Sequence, residues 1–231
     1  MDFILDGLSR ALELLLNLDP ETFSAVQATL ATTFLAVTAA LALGIPAGFC
    51  LGFFDFPGKR ALRAVADTAL SLPTVVIGLL VFAFLSQRGP LGHLGLLFTI
   101  PGMALGLTIL GLPIIVTMTA TAVEGMDRRL TEALLTLGAN RRQLASASLW
   151  EARFPVMLAA LTAFGRIVSE VGIAMMVGGN IKWQTRTITT AIAMETGKGE
   201  FAMGIALGLV LMSMAFLVTL SATWLRRRAS P

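Results

Sequence analysis

The chain has 231 residues, of which 56% are hydrophobic and 13% charged, with a net charge of +3. Soluble domains carry about 25% charged residues, so this chain lacks the polarity to cover a water-facing surface, and its hydrophobicity excludes disorder. One cysteine, Cys50, excludes an internal disulfide framework, and together with the lone His93 it cannot build a Cys/His zinc site.

In chain order, residues 1–18 predict an amphipathic helix lying in a membrane interface. Phe3, Ile4, Leu8, Leu12, Leu15 and Leu16 share one helical face, and Asp2, Asp6, Arg10, Glu13 and Asn17 the other. The acidic start and interrupted apolar run do not fit a signal peptide. Asp19 then Pro20 predicts an N-cap and a first-turn proline, where the first spanning helix begins.

From there, charge is missing in blocks. None occurs over the 33 residues from Thr22 to Phe54, the 20 from Thr68 to Gln87, the 35 from Gly89 to Val123 and the 25 from Phe201 to Leu225. A hydrocarbon layer needs about 20 helical residues, so each block is long enough to cross it. Phe154 to Ile181 is equally apolar but carries Arg166 and Glu170. The expected fold is all-α and polytopic, residues 1–231 forming one domain with transmembrane helices near 24–52, 65–87, 98–123, 155–178 and 202–225.

Basic residues set the orientation. Eleven of the 17 flank one set of loops: Lys59, Arg60 and Arg63, then Arg128, Arg129, Arg141, Arg142 and Arg153, then Arg226, Arg227 and Arg228. Arg10, Arg88, Lys182, Arg186 and Lys198 lie on the other side. The C-terminus is therefore expected in the cytoplasm and the N-terminus outside. The pI of about 9.7 follows from this asymmetry and requires no nucleic-acid surface.

Within the spans, Gly44, Gly48 and Gly52, Gly102 and Gly106, and Gly204 and Gly208 recur every four residues, a spacing that lets helices approach closely in lipid. Pro46, Pro73, Pro101 and Pro113 stand in or at the ends of spans, where they kink helices or free carbonyls. Asp67 reads as a carboxylate at the start of the second span. Arg166 and Glu170 lie four apart on the fourth span and share a face. Two readings fit them: a neutralising pair that fixes packing, or charges at a pore or gate. Gly178, Gly179 and Asn180 end that span either as a permeation-path loop or as a plain C-cap.

The loop from Glu124 to Phe154 is long enough for two short helices. Thr131 to Leu137 is helical in pattern, Gly138 is placed to stop it in a left-handed conformation, and Asn140 with Gln143 predicts a capping box for the next helix. This elbow has the shape of a docking element, although a simple connector fits as well.

Glu132-Ala133-Leu134, three residues, then Gly138-Ala139-Asn140 resembles the EAA loop of permease subunits of bacterial ABC importers. Leu134 stands where that loop has its third Ala. Trp150 to Phe154, followed by Pro155, replaces its terminal Leu-Pro. The chain is similar to the tungstate-type branch over some 200 residues. The match runs through Leu18-Asp19-Pro20-Glu21, Leu72 to Leu79, Arg88 to Gly92, Leu96 to Thr99, Leu112-Pro113-Ile114, Leu137-Gly138-Ala139 and Glu151-Ala152-Arg153. Phe164-Gly165-Arg166, Ser169 to Gly172 and Gly178 to Ile181 resemble the wider molybdate/tungstate permease region.

The resemblance implies a type I ABC importer fold in the bacterial inner membrane, with no cofactor. It also implies a homodimer standing on two ATP-binding subunits, with an extracytoplasmic oxyanion-binding protein above. Glu132, Ala133, Gly138, Ala139 and Asn140 would couple to the ATPase, and Arg166, Glu170 and Asn180 would stand on the translocation path or gate. The implied cargo is tungstate, with molybdate or sulfate as alternatives.

The chain has no G-x-x-x-x-G-K-[ST], so ATP hydrolysis is expected in a partner. A membrane enzyme is disfavoured by the absence of Tyr, H-E-x-x-H and G-x-S-x-G. A gated channel or structural membrane subunit would not need the elbow of Glu132 and Gly138.

Overall fold

A computed structural model describes residues 9, 12–14, 16, 17 and 19–229. Most of the expected interfacial helix over 1–18 lies outside the described residues. The remainder is helical, with no strand among the described residues.

The first crossing helix, α1 (Pro20–Phe53), starts where the sequence says it should. The Asp19 carboxylate accepts from the Thr22 N–H at 2.8 Å, and Pro20 fills the first turn. Helix α4 (Ile100–Glu124) packs along it. Its own cap is Thr99, which accepts from the Gly102 N–H at 3.2 Å. The α1–α4 contact is made by glycine. A Cβ on Gly44 would lie 2.8 Å from Ile115 Cγ2, on Gly48 2.6 Å from the Val116 carbonyl oxygen, and on Gly52 2.7 Å from the Ala120 carbonyl oxygen. Backbone therefore rests on backbone at Gly48 and Gly52, and on the Ile115 side chain at Gly44, the close form of packing that lipid favours. The other glycine pairs differ. A Cβ on Gly106 would meet Ile173, and one on Gly204 Thr196, while nothing lies within 4 Å at Gly208.

Two expected spans are not continuous helices. The second is divided into α2 (Lys59–Ala69) and α3 (Thr74–Leu85), bent by 99°. Pro73 lacks an N–H and drives the preceding residue out of the α region, and it becomes the cap of α3. Helix α2 buries no residue. Asp67 consequently sits near the end of α2, before the break, and is bonded to Arg63 at 3.3 Å. The fourth expected span is divided into α7 (Arg153–Val168) and α8 (Gly172–Gly178), bent by 62°. Helices α1, α4 and residues Phe201–Ser221 of α10 (Phe201–Ala229) are long and apolar enough to cross on their own, and the two bent pairs bring the total to as many as five crossings.

Between α4 and α7 lie α5 (Arg128–Thr136) and α6 (Arg141–Glu151). An unanticipated helix, α9 (Ile188–Lys198), precedes α10 and is opened by a Thr187–Thr190 capping box. The main core gathers Ile77, Val81, Leu107, Ile167, Ile173 and Val177 from α3, α4, α7 and α8. Short helix α8 is thereby the best buried part of the bent pair.

Candidate functional site

Two regions carry the residues singled out above. The first is the elbow. The Asp127 carboxylate caps α5, accepting from the Arg129 N–H at 2.9 Å. The chain reverses at Gly138, whose φ is +78°, a region that a Cβ disfavours. The Gly138 and Ala139 N–H groups donate to the Leu135 and Leu134 carbonyls at 3.0 and 2.9 Å, so the turn closes the end of α5. The Asn140 side chain accepts from the Gln143 N–H at 3.0 Å, and Gln143 returns the bond at 2.8 Å. The predicted capping box is therefore present in full.

Glu132, Ala133, Gly138 and Asn140 are exposed and Ala139 is half-buried. Leu137 is 84% exposed and Trp150 70%. Helix α6 buries only Ser148. Arg153 lies 4.8 Å from the Trp150 ring and 4.6 Å from the Phe154 ring, which stiffens the return into α7. The elbow is held in shape by its own caps and stands away from the bundle.

The second region is the break between α7 and α8. Glu170 sits in the break and is almost fully buried. One carboxylate oxygen, Oε2, accepts from Arg166 Nη1 at 3.0 Å. The other, Oε1, accepts from the Gly172 N–H at 3.0 Å and the Ile173 N–H at 3.4 Å. The Glu170 carbonyl accepts from Thr189 Oγ1 at 2.9 Å, which ties the break to α9. Glu170 thus joins α7, α8 and α9, a role that spacing alone did not reveal. The sequence-predicted pair forms, but across a helix end. Asn180 is not joined to it: its φ is +50°, and its amide nitrogen lies 2.8 Å from Met194 Sδ.

A third cluster escaped sequence reasoning. Arg186 is buried, and its Nη1 donates to both Glu21 and Glu195. Lys182 pairs with Glu21 at 2.8 Å and Lys198 with Glu195 at 3.0 Å. Glu21 is 165 residues from Arg186, so no local pattern announces the network. At the opposite end of the bundle Lys59 and Arg63 of α2 face Glu124 of α4 at 3.6 and 3.5 Å. There α2, α4 and α7 enclose a groove of about 390 Å³. Among the described residues no three His, Cys, Asp or Glu side chains gather to hold a metal ion.

Comparison with known proteins places this geometry. Residues 44–231 match the family model described as binding-protein-dependent transport system inner membrane component. The tungstate uptake system permease protein TupB of Campylobacter jejuni is 46% identical over 94% of this chain and 90% of its own length. The protein of the same name from Peptoclostridium acidaminophilum is 36% identical over 94% and 96%. A chain of the MetNI methionine ABC transporter, solved in an inward-facing conformation, superposes with a TM-score of 0.75 over 92% of this chain and 99% of its own, at 20% identity, so the fold is shared. This chain therefore belongs to the inner membrane components of binding-protein-dependent ABC transport systems.

Proposed function

We propose that the chain is the permease subunit of an ATP-driven importer for tungstate. The observation that carries this is the 46% identity to a tungstate uptake permease over nearly the whole chain. In this reading the chain works as one transmembrane domain and as two copies. Two ATP-binding subunits stand beneath it and an extracytoplasmic oxyanion-binding protein above. Glu132, Ala133, Gly138, Ala139 and Asn140 dock on the ATPase, and the self-capped, exposed elbow supports that role. Arg166, Glu170 and Asn180 belong to the translocation path or gate, supported by a charge pair at a break in a membrane span.

The N-terminus lies outside and the C-terminus in the cytoplasm. The excess of Lys and Arg in the loops on the side of α2 and the elbow supports this sidedness. Molybdate and sulfate are tetrahedral dianions of similar shape, so selection among the three falls to the binding protein. ATP-dependent uptake of labelled tungstate, molybdate and sulfate by the reconstituted complex tests the reading. Tungstate taken up in preference supports it. Uptake without ATP, or of neither tungstate nor its congeners, overturns it in favour of a channel or a structural subunit.

A further inference from the structure

Helix α9 is held unevenly along its length. In its first half Ile188, Thr189, Thr190 and Ala191 are buried. Ile188 and Ala191 cluster with Ala25 of α1 and Leu207 of α10, and the Ile188 N–H donates to Thr29 Oγ1 at 2.8 Å. Beyond Ala191 this apolar hold weakens. Ile192 is half-buried, and Ala193, Met194, Thr196, Gly197 and Lys198 are exposed. Glu195 is the one buried side chain of that half, and its carboxylate accepts from Arg186 Nη1 at 3.2 Å. The helix ends at Gly199, whose φ is +87° and whose surroundings are open.

Arg186 is carried by the turn between α8 and α9. The N–H groups of Gln184, Thr185 and Arg186 converge on the Ile181 carbonyl at 3.2, 3.0 and 3.0 Å. Asn180 and Trp183 stand in that turn at φ of +50° and +66°, conformations that persist only where their surroundings hold them. Nη1 of Arg186 also donates to Glu21, so one guanidinium bridges the start of α1 and the end of α9. The bridge is incomplete, because Arg186 Nε is buried without a hydrogen-bond partner.

The cluster sets three cations against two carboxylates. Lys182 pairs with Glu21 and Lys198 with Glu195, both lysines from exposed positions. If Arg186 withdraws into water, neither carboxylate loses its last cation. Breaking a buried pair is costly mainly through the uncompensated charge left behind, and that cost is largely avoided here. The network therefore has two charge-balanced arrangements. In one, Arg186 joins α1 to the end of α9. In the other, Glu21 and Glu195 each keep only a lysine.

Resting on the reading of the chain as a permease, we propose that the second half of α9 is a strap latched by Arg186 on Glu195, closed in this structure and released in another state of the transport cycle. The first half of α9 stays seated on α1, and the part released runs from Ile192 to Gly199.

Hydrogen exchange in the full complex in lipid nanodiscs tests this. Two states are compared, one without nucleotide and one held with ATP and vanadate. The Thr196, Gly197 and Lys198 amides should exchange about fivefold or more faster in one state than in the other. The Ile188 amide should stay equally protected in both. Glu195→Gln keeps the size of the side chain and leaves Arg186 on Glu21. In the more protected state it should speed the three strap amides by about tenfold. Lys198→Gln, which removes only an exposed cation, should speed them by less than about twofold.

Equal exchange of the strap in the two states, in a complex that takes up tungstate under ATP, makes the Arg186 network a fixed tie. The latch then falls and the permease reading stands. Unchanged exchange in Glu195→Gln overturns the latch as well. If that variant does not assemble, the two states of the parent decide alone. If the parent takes up no oxyanion, both readings fall.

Discussion

The α1–α4 pair and the α5–α6 elbow use the same residue for opposite reasons. At Gly48 the backbone is ordinary helix and what matters is the missing Cβ, because the Val116 carbonyl would lie 2.6 Å from it. At Gly138 nothing lies within 4 Å, and what matters is a φ of +78°. The first glycine serves packing in lipid, and the second serves the shape of a surface that touches little else in its own chain. Stability should therefore reside in one region and coupling in the other, and substitutions should separate the two.

Gly48→Leu carries the largest expected effect. Its side chain meets backbone, which cannot rotate away, so α1 and α4 must part. Overpacking of this kind costs about 3 kcal/mol or more where relief is blocked. The amount of folded protein in the membrane should fall steeply, as read by size-exclusion of the detergent-extracted chain. Parent-level yield and thermal stability would break the comparison at its firmer end.

Gly138→Val should do the reverse. A β-branched residue held at positive φ costs roughly 1–2 kcal/mol, and the elbow relieves this by changing angle. Folded yield should stay close to the parent, while capture of the ATP-binding subunit and ATP-driven uptake fall about tenfold. Retained uptake would remove the elbow from coupling.

Glu170→Gln lies between the two regions in kind and below both in size. The amide can still accept from α8, but its NH₂ faces the Arg166 guanidinium, so the pair is lost. Breaking a buried pair costs about 3–5 kcal/mol. Arg166 is 44% exposed and water recovers part of that, leaving roughly 1–2 kcal/mol. A modest fall in thermal midpoint with a several-fold loss of uptake is expected. Unchanged values for both would make the pair incidental.

What the sequence revealed follows from how local each signal is. Asp19-Pro20, Gly138 and Asn140 with Gln143 act within four residues, and each appears in the structure as its spacing implies. Charge-free blocks marked where crossings run, because the hydrocarbon layer acts on composition. The bends were legible only in part: Pro73 marked a candidate kink, but neither the size of the two bends nor their place, before Pro73 and at Ser169 to Val171, follows from local pattern. Asp67, expected at the start of a continuous span, instead lies near the end of α2, just before the break. Glu170 as a three-helix junction and Arg186 between Glu21 and Glu195 depend on tertiary folding and left no periodic trace. The candidate site was thus half legible: its local pairs, Arg166 with Glu170 and Asn140 with Gln143, could be named, but its long-range partners could not.

The smallest effect sharpens the contrast furthest. Asn140→Ala removes one half of a capping box, worth about 1 kcal/mol. Helix α6 buries only Ser148, so it has little tertiary packing with which to make up the loss. Thr99→Ala removes a similar cap from α4, but that helix is packed along much of its length, with Met103, Ala104 and Leu107 nearly inaccessible. Hydrogen exchange in the intact complex lacking nucleotide separates the two. The Gln143 amide should exchange about fivefold faster in Asn140→Ala, the equivalent of the lost cap. The Gly102 amide should stay protected in Thr99→Ala, because opening it requires moving packed helices. Equal responses in the two variants would mean that the elbow is braced by more than its own caps, and the division between a packed region and a self-capped one would fail.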